Sequence, residues 1–408
     1  MTNSSEIASV SDMEDSCFDE MIVRRHEKSR NRRQNVRMAA GRSHVESELP
    51  QTSASRPTTP VLVTNVYAEP NANPIIDENT RRRMSPKLIV NNELTLFGIG
   101  DTVRNCWEIK GLIGSGGYGQ IYYSIDNRNG RRVAVKAEPV HRQGRRHRRM
   151  ILEQHVLVRL QGQPHVPLIY GSGCQQNVNF IVMQLLSVNI GDLRKSCPLK
   201  RLSRSTCGRF ALQVIAALRD LHNAGFLHRD IKPANICFGV TELSKHRLFL
   251  VDYGLARSFR TPDGRLRERR QRAGFRGTLR YVSIRVHDRE EQGPADDLVS
   301  LFYSLLELLR GDVPWKQLHN AAQIKAAKEQ LRRDDFLQVC QHFGEPLREF
   351  GRAVYCMSST DEPNYSALQD VMRAFSGNVM LDAKYDWEMD YADVYSEEDI
   401  NRHLKLIS

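Results

Sequence analysis

The run His228-Arg229-Asp230-Ile231-Lys232-Pro233-Ala234-Asn235 constrains this chain more than any other stretch of its sequence. It sets a carboxylate, an ammonium and an amide oxygen close together. Moving a phosphoryl group from a nucleotide to a hydroxyl needs a residue that orients the hydroxyl, a cation against the phosphates and oxygen ligands for Mg²⁺. A His-Arg-Asp triplet alone arises by chance; followed at these spacings by Lys232 and Asn235, it points to that chemistry. Asp230 is read as the residue that orients and deprotonates the acceptor, Lys232 as neutralising charge on the transferred group, and Asn235 as a metal ligand. His228 has no second ligand nearby and is read as a buried structural residue.

The other parts of such a machine stand before and after this run, in order. Gly114-Ser115-Gly116-Gly117-Tyr118-Gly119 fits GxGxxG, and glycines let a backbone lie over phosphate oxygens without Cβ obstruction. The same pattern marks dinucleotide-binding folds, but there a helix follows it, and here β-formers flank it on both sides. Val133-Ala134-Val135-Lys136 places a lysine at a strand end, 17 residues after Gly119. Such a lysine needs an anionic partner, and Glu153 on the following helix is the candidate, with a solvent-facing helix charge as the bland alternative. Leu157 shares its face and would pack inward. Asp252, delivered by the strand Leu248–Val251, is the second expected metal ligand. Lys232 together with Thr278 resembles the arrangement of enzymes that act on Ser or Thr, and that resemblance implies protein Ser/Thr hydroxyls as the acceptors.

With 408 residues, 40% of them hydrophobic, the chain has material for one large two-lobed domain. Residues 1–95 hold an acidic start, a basic run from Arg24 to Arg37 and a Ser/Thr/Pro segment, without sustained apolar periodicity. Such a composition buries too little apolar surface to offset ordering entropy, which predicts a disordered extension. The basic run is read as a solvated patch, with nuclear import or an anionic surface as the alternative. Residues 96–388 form the expected domain and 389–408 an acidic tail. From Asn378 onward the acidic residues either pack against basic surfaces or stay in solvent.

Within the domain, β-formers on both sides of the glycines predict a hairpin, and Asn129-Gly130 a turn before the strand Arg132–Lys136. After a basic loop, Pro139–Arg149, Met150–Leu160 reads as a helix and Phe180–Met183 as a strand. Phe210, Val214, Ile215, Leu218 and Leu221 line a helix that Gly225 ends, and the apolar run Leu298–Leu309 predicts a helix buried in a core. The fold class is therefore α+β, a small β-rich lobe followed by a larger helical one.

The net charge of +11 invites a nucleic-acid reading, but the charge is clustered and no recognised nucleic-acid-binding fold accompanies it. Eight cysteines without a CxxC pair argue against zinc or a disulfide framework and suit a reducing compartment. The start of the chain is polar and acidic, and no run of 18 apolar residues occurs. The expectation is a soluble cytoplasmic monomer, with the nucleus as a second compartment. Between Asp252 and Ser283 lie Arg257, Arg260, Arg265, Arg267, Arg269, Arg270, Arg272 and Arg276. They make either a solvated loop or a surface for acidic or already phosphorylated substrate residues, since guanidinium matches phosphate bidentately.

Taken together, these motifs resemble a eukaryotic protein kinase, and more narrowly the casein kinase 1 superfamily. Ser283-Ile284-Arg285 stands where that branch carries Ser-Ile-Asn and most kinases carry Ala-Pro-Glu. Ala273–Thr278, Asp296-Asp297-Leu298 with Ser300–Tyr303, and Tyr385-Asp386-Trp387-Glu388 look like tau-tubulin kinases. The resemblance spans roughly 97–388. It implies a two-lobed kinase fold and ATP with Mg²⁺ as cofactors. It also implies that Ile113, Ile121 and Ala134 roof the adenine and Cys237 forms its floor. By the same resemblance Met183 is the gatekeeper, Gln184 and Leu186 present hinge backbone groups, and Asp297 anchors the loop carrying Asp230. Three departures stand out: Tyr253 for the usual Phe after the metal aspartate, Arg285 for Asn, and Val282 for Ala. A pseudokinase scaffold is the alternative reading, and the joint presence of Lys136, Asp230, Asn235 and Asp252 argues against it.

Overall fold

The computed structural model describes residues 95–389 except Tyr118, Gln143, Gly144, His147 and Pro262. The expected disordered extension up to residue 94 and the acidic tail beyond Met389 lie outside the described residues.

Alternation of apolar and polar residues builds the first lobe. Strands β1 (Trp107–Gly116), β2 (Gly119–Asp126) and β3 (Arg131–Pro139) precede helix α1 (Arg149–Leu160), and β4 (Ile169–Gln175) and β5 (Val178–Gln184) follow it. With the short strand Thr102–Val103 they make a six-stranded antiparallel sheet in the order Thr102–Val103, β1, β2, β3, β5, β4. Successive side chains point to opposite faces. Ile109, Tyr122, Val133, Val135, Ala137, Phe180 and Val182 therefore meet in one small core with Trp107 and Phe97. The other face takes Lys136, which lies opposite Ile121 on β2 and Ile181 on β5, and Ala134, which lies opposite Met183. The alternation that builds the core thus aims the lysine away from it.

The stretch read as a basic loop carries a small hairpin, His141–Arg142 paired with Arg145–Arg146. Strands of two residues have no apolar alternation to betray them.

The second lobe begins with β6 (Leu186–Asn189) and α2 (Ile190–Ser196). Helix α3 (Arg204–Asn223) starts at Ser203, whose hydroxyl accepts the Thr206 N–H at 3.2 Å, an N-cap. Its apolar stripe, Phe210, Val214, Ile215, Leu218 and Leu221, is fully buried, and Gly225 turns the chain at φ +85°. Strands β7 (Ile236–Gly239) and β8 (Leu248–Leu250) form a three-stranded sheet with β6, with β7 in the centre. Helices α4 (Ile284–His287), α5 (Pro294–Arg310), α6 (Ala321–Gln330), α7 (Glu345–Cys356) and α8 (Tyr365–Phe375), with the short helix Phe336–Gln341 between α6 and α7, complete the lobe. All of α5 from Pro294 to Leu309 is buried, so it is the post around which the lobe packs.

After α8, residues 377–382 are exposed, whereas Tyr385–Glu388 is packed rather than solvated. Tyr385 and Trp387 stack with centroids 4.8 Å apart, and the Arg209 guanidinium lies 4.0 Å over the Tyr385 ring. Buried Asp386 accepts hydrogen bonds from the Ser203 N–H (2.6 Å), the Ser203 hydroxyl (2.6 Å) and the Thr206 hydroxyl (2.5 Å). Asp386→Ala leaves those donors without an acceptor, and a buried polar group so stranded costs about 1–3 kcal/mol. The expected result is a lowered urea midpoint with kcat unchanged at low temperature, measured by paired unfolding and activity assays.

Candidate active site

Lys136 sits where β3 meets α1. Its Nζ lies 2.6 Å from Glu153 Oε2 and 3.0 Å from Asp252 Oδ1, with only 11% of the lysine side chain exposed. Glu153 is placed by the buried face of α1, which it shares with Val156, Leu157 and Leu160. Burial alone would discharge the ammonium, but the two carboxylates outweigh it and hold the lysine pKa above its ordinary value. Burial likewise works against charge on Asp252, and Lys136 more than compensates, so that carboxyl stays below its usual range.

The run from His228 is hung from the buried helix. Asp297, near the N-terminus of α5, accepts the backbone N–H of His228 and of Arg229, each at 2.8 Å. Its Oδ2, which takes the His228 N–H, also meets His222 Nε2 at 3.0 Å, and His222 Nδ1 lies 2.6 Å from the Tyr365 hydroxyl. Burial would raise the Asp297 pKa, but His222 and the bound N–H groups hold it below the usual range. These contacts fix Arg229 in the left-handed region at φ 67°. Such backbone is strained for a side-chain-bearing residue and persists only where its surroundings over-determine it. His228 is fully buried, its Nε2 3.1 Å from the Val251 carbonyl oxygen and its ring 5.2 Å from that of Tyr253.

Asp230 is gripped from both sides. The Thr278 hydroxyl donates to its Oδ1 at 2.7 Å, and Lys232 Nζ lies 2.7 Å from its Oδ2 and 3.0 Å from the Thr278 oxygen. Asn235 Nδ2 donates to the Asp230 carbonyl oxygen at 2.9 Å, which fixes which end of that amide is the acceptor. Gly277, at φ +114°, brings Thr278 in: a Cβ there would press on the Arg229 carbonyl oxygen and the Val282 side chain. Asp252 is itself left-handed, at φ 66°, and opens a 3₁₀ turn over Tyr253–Leu255.

Of the residues expected around a base, Ile121, Ala134 and Met183 lie on the Lys136 face of the first-lobe sheet, whereas Leu186 and Cys237 belong to β6 and β7 of the second lobe. Ile121 is 38% exposed and Ala134 buried, while Ile113, Met183, Gln184, Leu186 and Cys237 are partly buried. Cys237 pairs with Asn189 across β7 and β6, and burial with the nearby Asp192 pushes its thiol up to about 12. The Gln184 N–H is already taken by the Leu168 carbonyl at 2.8 Å. Gly114, Ser115 and Gly116 close β1 and Gly119 opens β2, joined through Gly117; a Cβ on Gly119, at φ +117°, would fall on the Ala137 carbonyl oxygen. Tyr118 lies outside the described residues.

Among known proteins, the protein kinase domain family matches residues 107–369. The chain belongs to the protein kinase family. It is 42% identical over 293 residues to a Caenorhabditis elegans protein carrying a casein kinase I name, covering 72% of this chain and 86% of the relative. A Dictyostelium discoideum protein named as a serine/threonine-protein kinase is 32% identical over 72% of this chain and 58% of its own. The Caenorhabditis elegans serine/threonine-protein kinase spe-6 is 31% identical over 69% of this chain and 75% of its own.

In this kinase the departures from the family pattern are accommodated. Tyr253 is 1% exposed and packs where a Phe would. Arg285 binds Asp296 Oδ1 at 3.0 Å and the Met357 carbonyl at 2.9 Å, joining the end of the segment to α5 and to the end of α7. Val282 is buried against Gly277. Of the arginines, Arg257 and Arg270 share Glu291, at 3.0 and 2.6 Å. Arg229 has no carboxylate partner among the described residues and donates instead to the Leu255 carbonyl at 2.7 Å. Burial first, then Arg257, Arg276 and Arg270, bring its pKa down to about 10. Among the described residues no helix is long and apolar enough to cross a membrane. His222 and Tyr365, which support Asp297, were invisible to motif reading because neither lies in a patterned stretch.

Proposed function

We propose that this kinase transfers the γ-phosphate of ATP, bound with Mg²⁺, to serine or threonine hydroxyls of protein substrates. The observation that carries the reading is the Asp230–Lys232–Thr278 cluster standing beside a paired Lys136, Glu153 and Asp252. The names of the relatives support the choice of Ser/Thr.

In this reading Asp230, its carboxylate aimed by Thr278 and Lys232, orients the acceptor hydroxyl and takes its proton as the new P–O bond forms. Lys232 then faces the charge that builds on the transferred group. Lys136, steadied by Glu153, meets the α- and β-phosphates, and the glycine hairpin closes over them. Ile113, Ile121 and Ala134 cover the base, Met183, Gln184 and Leu186 edge it, and Cys237 lies beneath. Asp252 and Asn235 would hold Mg²⁺, which neutralises phosphate charge when bound. Their donors are both oxygen, the set a hard cation prefers, and among the described residues no three His, Cys, Asp or Glu side chains form a closed metal cage. That suits an ion completing its shell with phosphates and water.

The arginines favour acidic or phosphoprimed substrates. Three of them, Arg257, Arg270 and Arg276, act on the partly buried guanidinium of Arg229, and Glu291 is the carboxylate that pairs with two. Arg276→Glu should lower kcat/KM for phosphoprimed peptides about tenfold or more, since a charge-assisted contact is worth about 1.5–3 kcal/mol. Unprimed neutral peptides should change little. Equal effects on both classes in parallel kinetic assays would remove Arg276 from the substrate contact.

A further inference from the structure

Lys328 is an unusual lysine. It lies on α6 with 0% of its surface exposed, and no carboxylate pairs with it among the described residues. Its Nζ donates to the carbonyl oxygens of Leu279 at 2.9 Å and Val282 at 2.7 Å, and stands 3.3 Å from His287 Nε2. The rings of Tyr303 and Trp315 flank it at 5.1 and 5.4 Å. Burial without a counter-charge holds its pKa well below the lysine range.

The two carbonyls locate its effect. Residues 279–282 run directly from Thr278, bonded to Asp230, to Ser283, which caps α4 by accepting the Val286 N–H. A peptide whose acceptor hydroxyl sits at Asp230 must continue along this backbone. The neighbouring carbonyl of Arg280 is also held, by the Trp315 indole N–H at 2.9 Å. Three carbonyl oxygens within four residues, at 279, 280 and 282, are thus held from the helical lobe by contacts that a change of segment side chains would not disturb. An apolar side chain of similar volume would fill the Lys328 site without the desolvation cost of an amine. What only the amine supplies is the double carbonyl contact.

We infer that Lys328 is a positioning residue for the peptide substrate, fixing residues 279–282 as the floor on which the chain flanking the acceptor lies. The inference rests on Asp230 receiving the acceptor. Its test is steady-state kinetics of the full chain on one Ser-containing peptide, with Lys328→Met and Lys328→Gln. Lys328→Met keeps the volume and removes both donors; the peptide KM should rise tenfold or more while the KM for ATP stays within twofold. Lys328→Gln keeps a shorter donor and should fall between. Hydrogen exchange at residues 278–286 should speed up in the Met variant, with α3 amides unchanged. A wild-type chain that transfers no phosphate would overturn the reading of the activity itself. An active wild type with peptide KM unchanged in Lys328→Met, or raised together with the KM for ATP, overturns the inference alone. Should the Met variant not fold, the same comparison in Lys328→Gln decides.

Discussion

Asp230→Asn is expected to lower kcat by about 10²–10⁴-fold, the usual loss when a positioned general base is removed. The fold should stay intact. An Asn side chain keeps one oxygen to accept the Thr278 hydroxyl, which bonds Asp230 Oδ1 at 2.7 Å, so the segment that follows Thr278 remains attached while the contact from Lys232 to the other oxygen is given up. The KM for ATP should change little, because Asp230 faces the acceptor and not the nucleotide. Single-turnover measurements with circular dichroism on the same sample check both halves. Near-wild-type turnover in a folded Asn variant would mean that the proton leaves by another route and that Asp230 is not the orienting group.

Lys136→Met should abolish turnover and also destabilise the fold, and the two effects have one cause. Glu153, with 4% of its side chain exposed, and Asp252, with 23%, would lose the cation they share. Breaking a buried pair by removing one partner costs about 3–5 kcal/mol, because a charge is left uncompensated. In the wild type the Asp252 carboxyl is held below its ordinary range, so its pairing contributes stability that is complete above that range and is lost as pH falls through the lowered pKa. Without the lysine, burial raises both carboxyls, and the variant gains relative stability when they protonate. Its Tm deficit should therefore shrink between about pH 7 and about pH 4, where carboxylates titrate. A deficit that widens over that interval would contradict the shared-cation account. The catalytic loss should be complete at every pH, since the contact to the phosphates has gone with the lysine.

Much of this site could be read from residue order because its chemistry is packed into short motifs. Lys136 is aimed by strand alternation, Glu153 by helical spacing with Leu157, and Asp230 to Asn235 by a single loop. The buried helix α5 announced itself by composition. Support from far along the chain left no such trace. Asp297 is implied as an anchor by the family resemblance, but its supports His222 and Tyr365, 143 positions apart from each other, belong to no motif. The segment at Tyr385–Glu388 looked as though it could stay in solvent because its acidic residues mask two aromatic anchors; only the structure shows Arg209, Ser203 and Thr206 waiting for it. Lys328 stands in none of the motifs that mark the site. The carbonyls that draw it inward belong to a segment more than 40 residues earlier.

The pseudokinase alternative would need one of the four diagnostic residues to be misplaced. Lys136, Asp230, Asn235 and Asp252 instead lie within two sets of contacts, one from Glu153 through Lys136 to Asp252 and one from Asn235 through Asp230 to Thr278. A scaffold would have no use for Thr278 and Lys232 aimed together at one carboxylate.

The most direct test is phosphate transfer by the full-length chain from γ-labelled ATP with Mg²⁺ onto an array of unprimed, acidic and phosphoprimed peptides. The account predicts label on Ser and Thr, strongest on acidic or primed peptides, and about a hundredfold less or lower still with Asp230→Asn. Label confined to Tyr, or no transfer from a folded wild-type chain across the whole array, would contradict it.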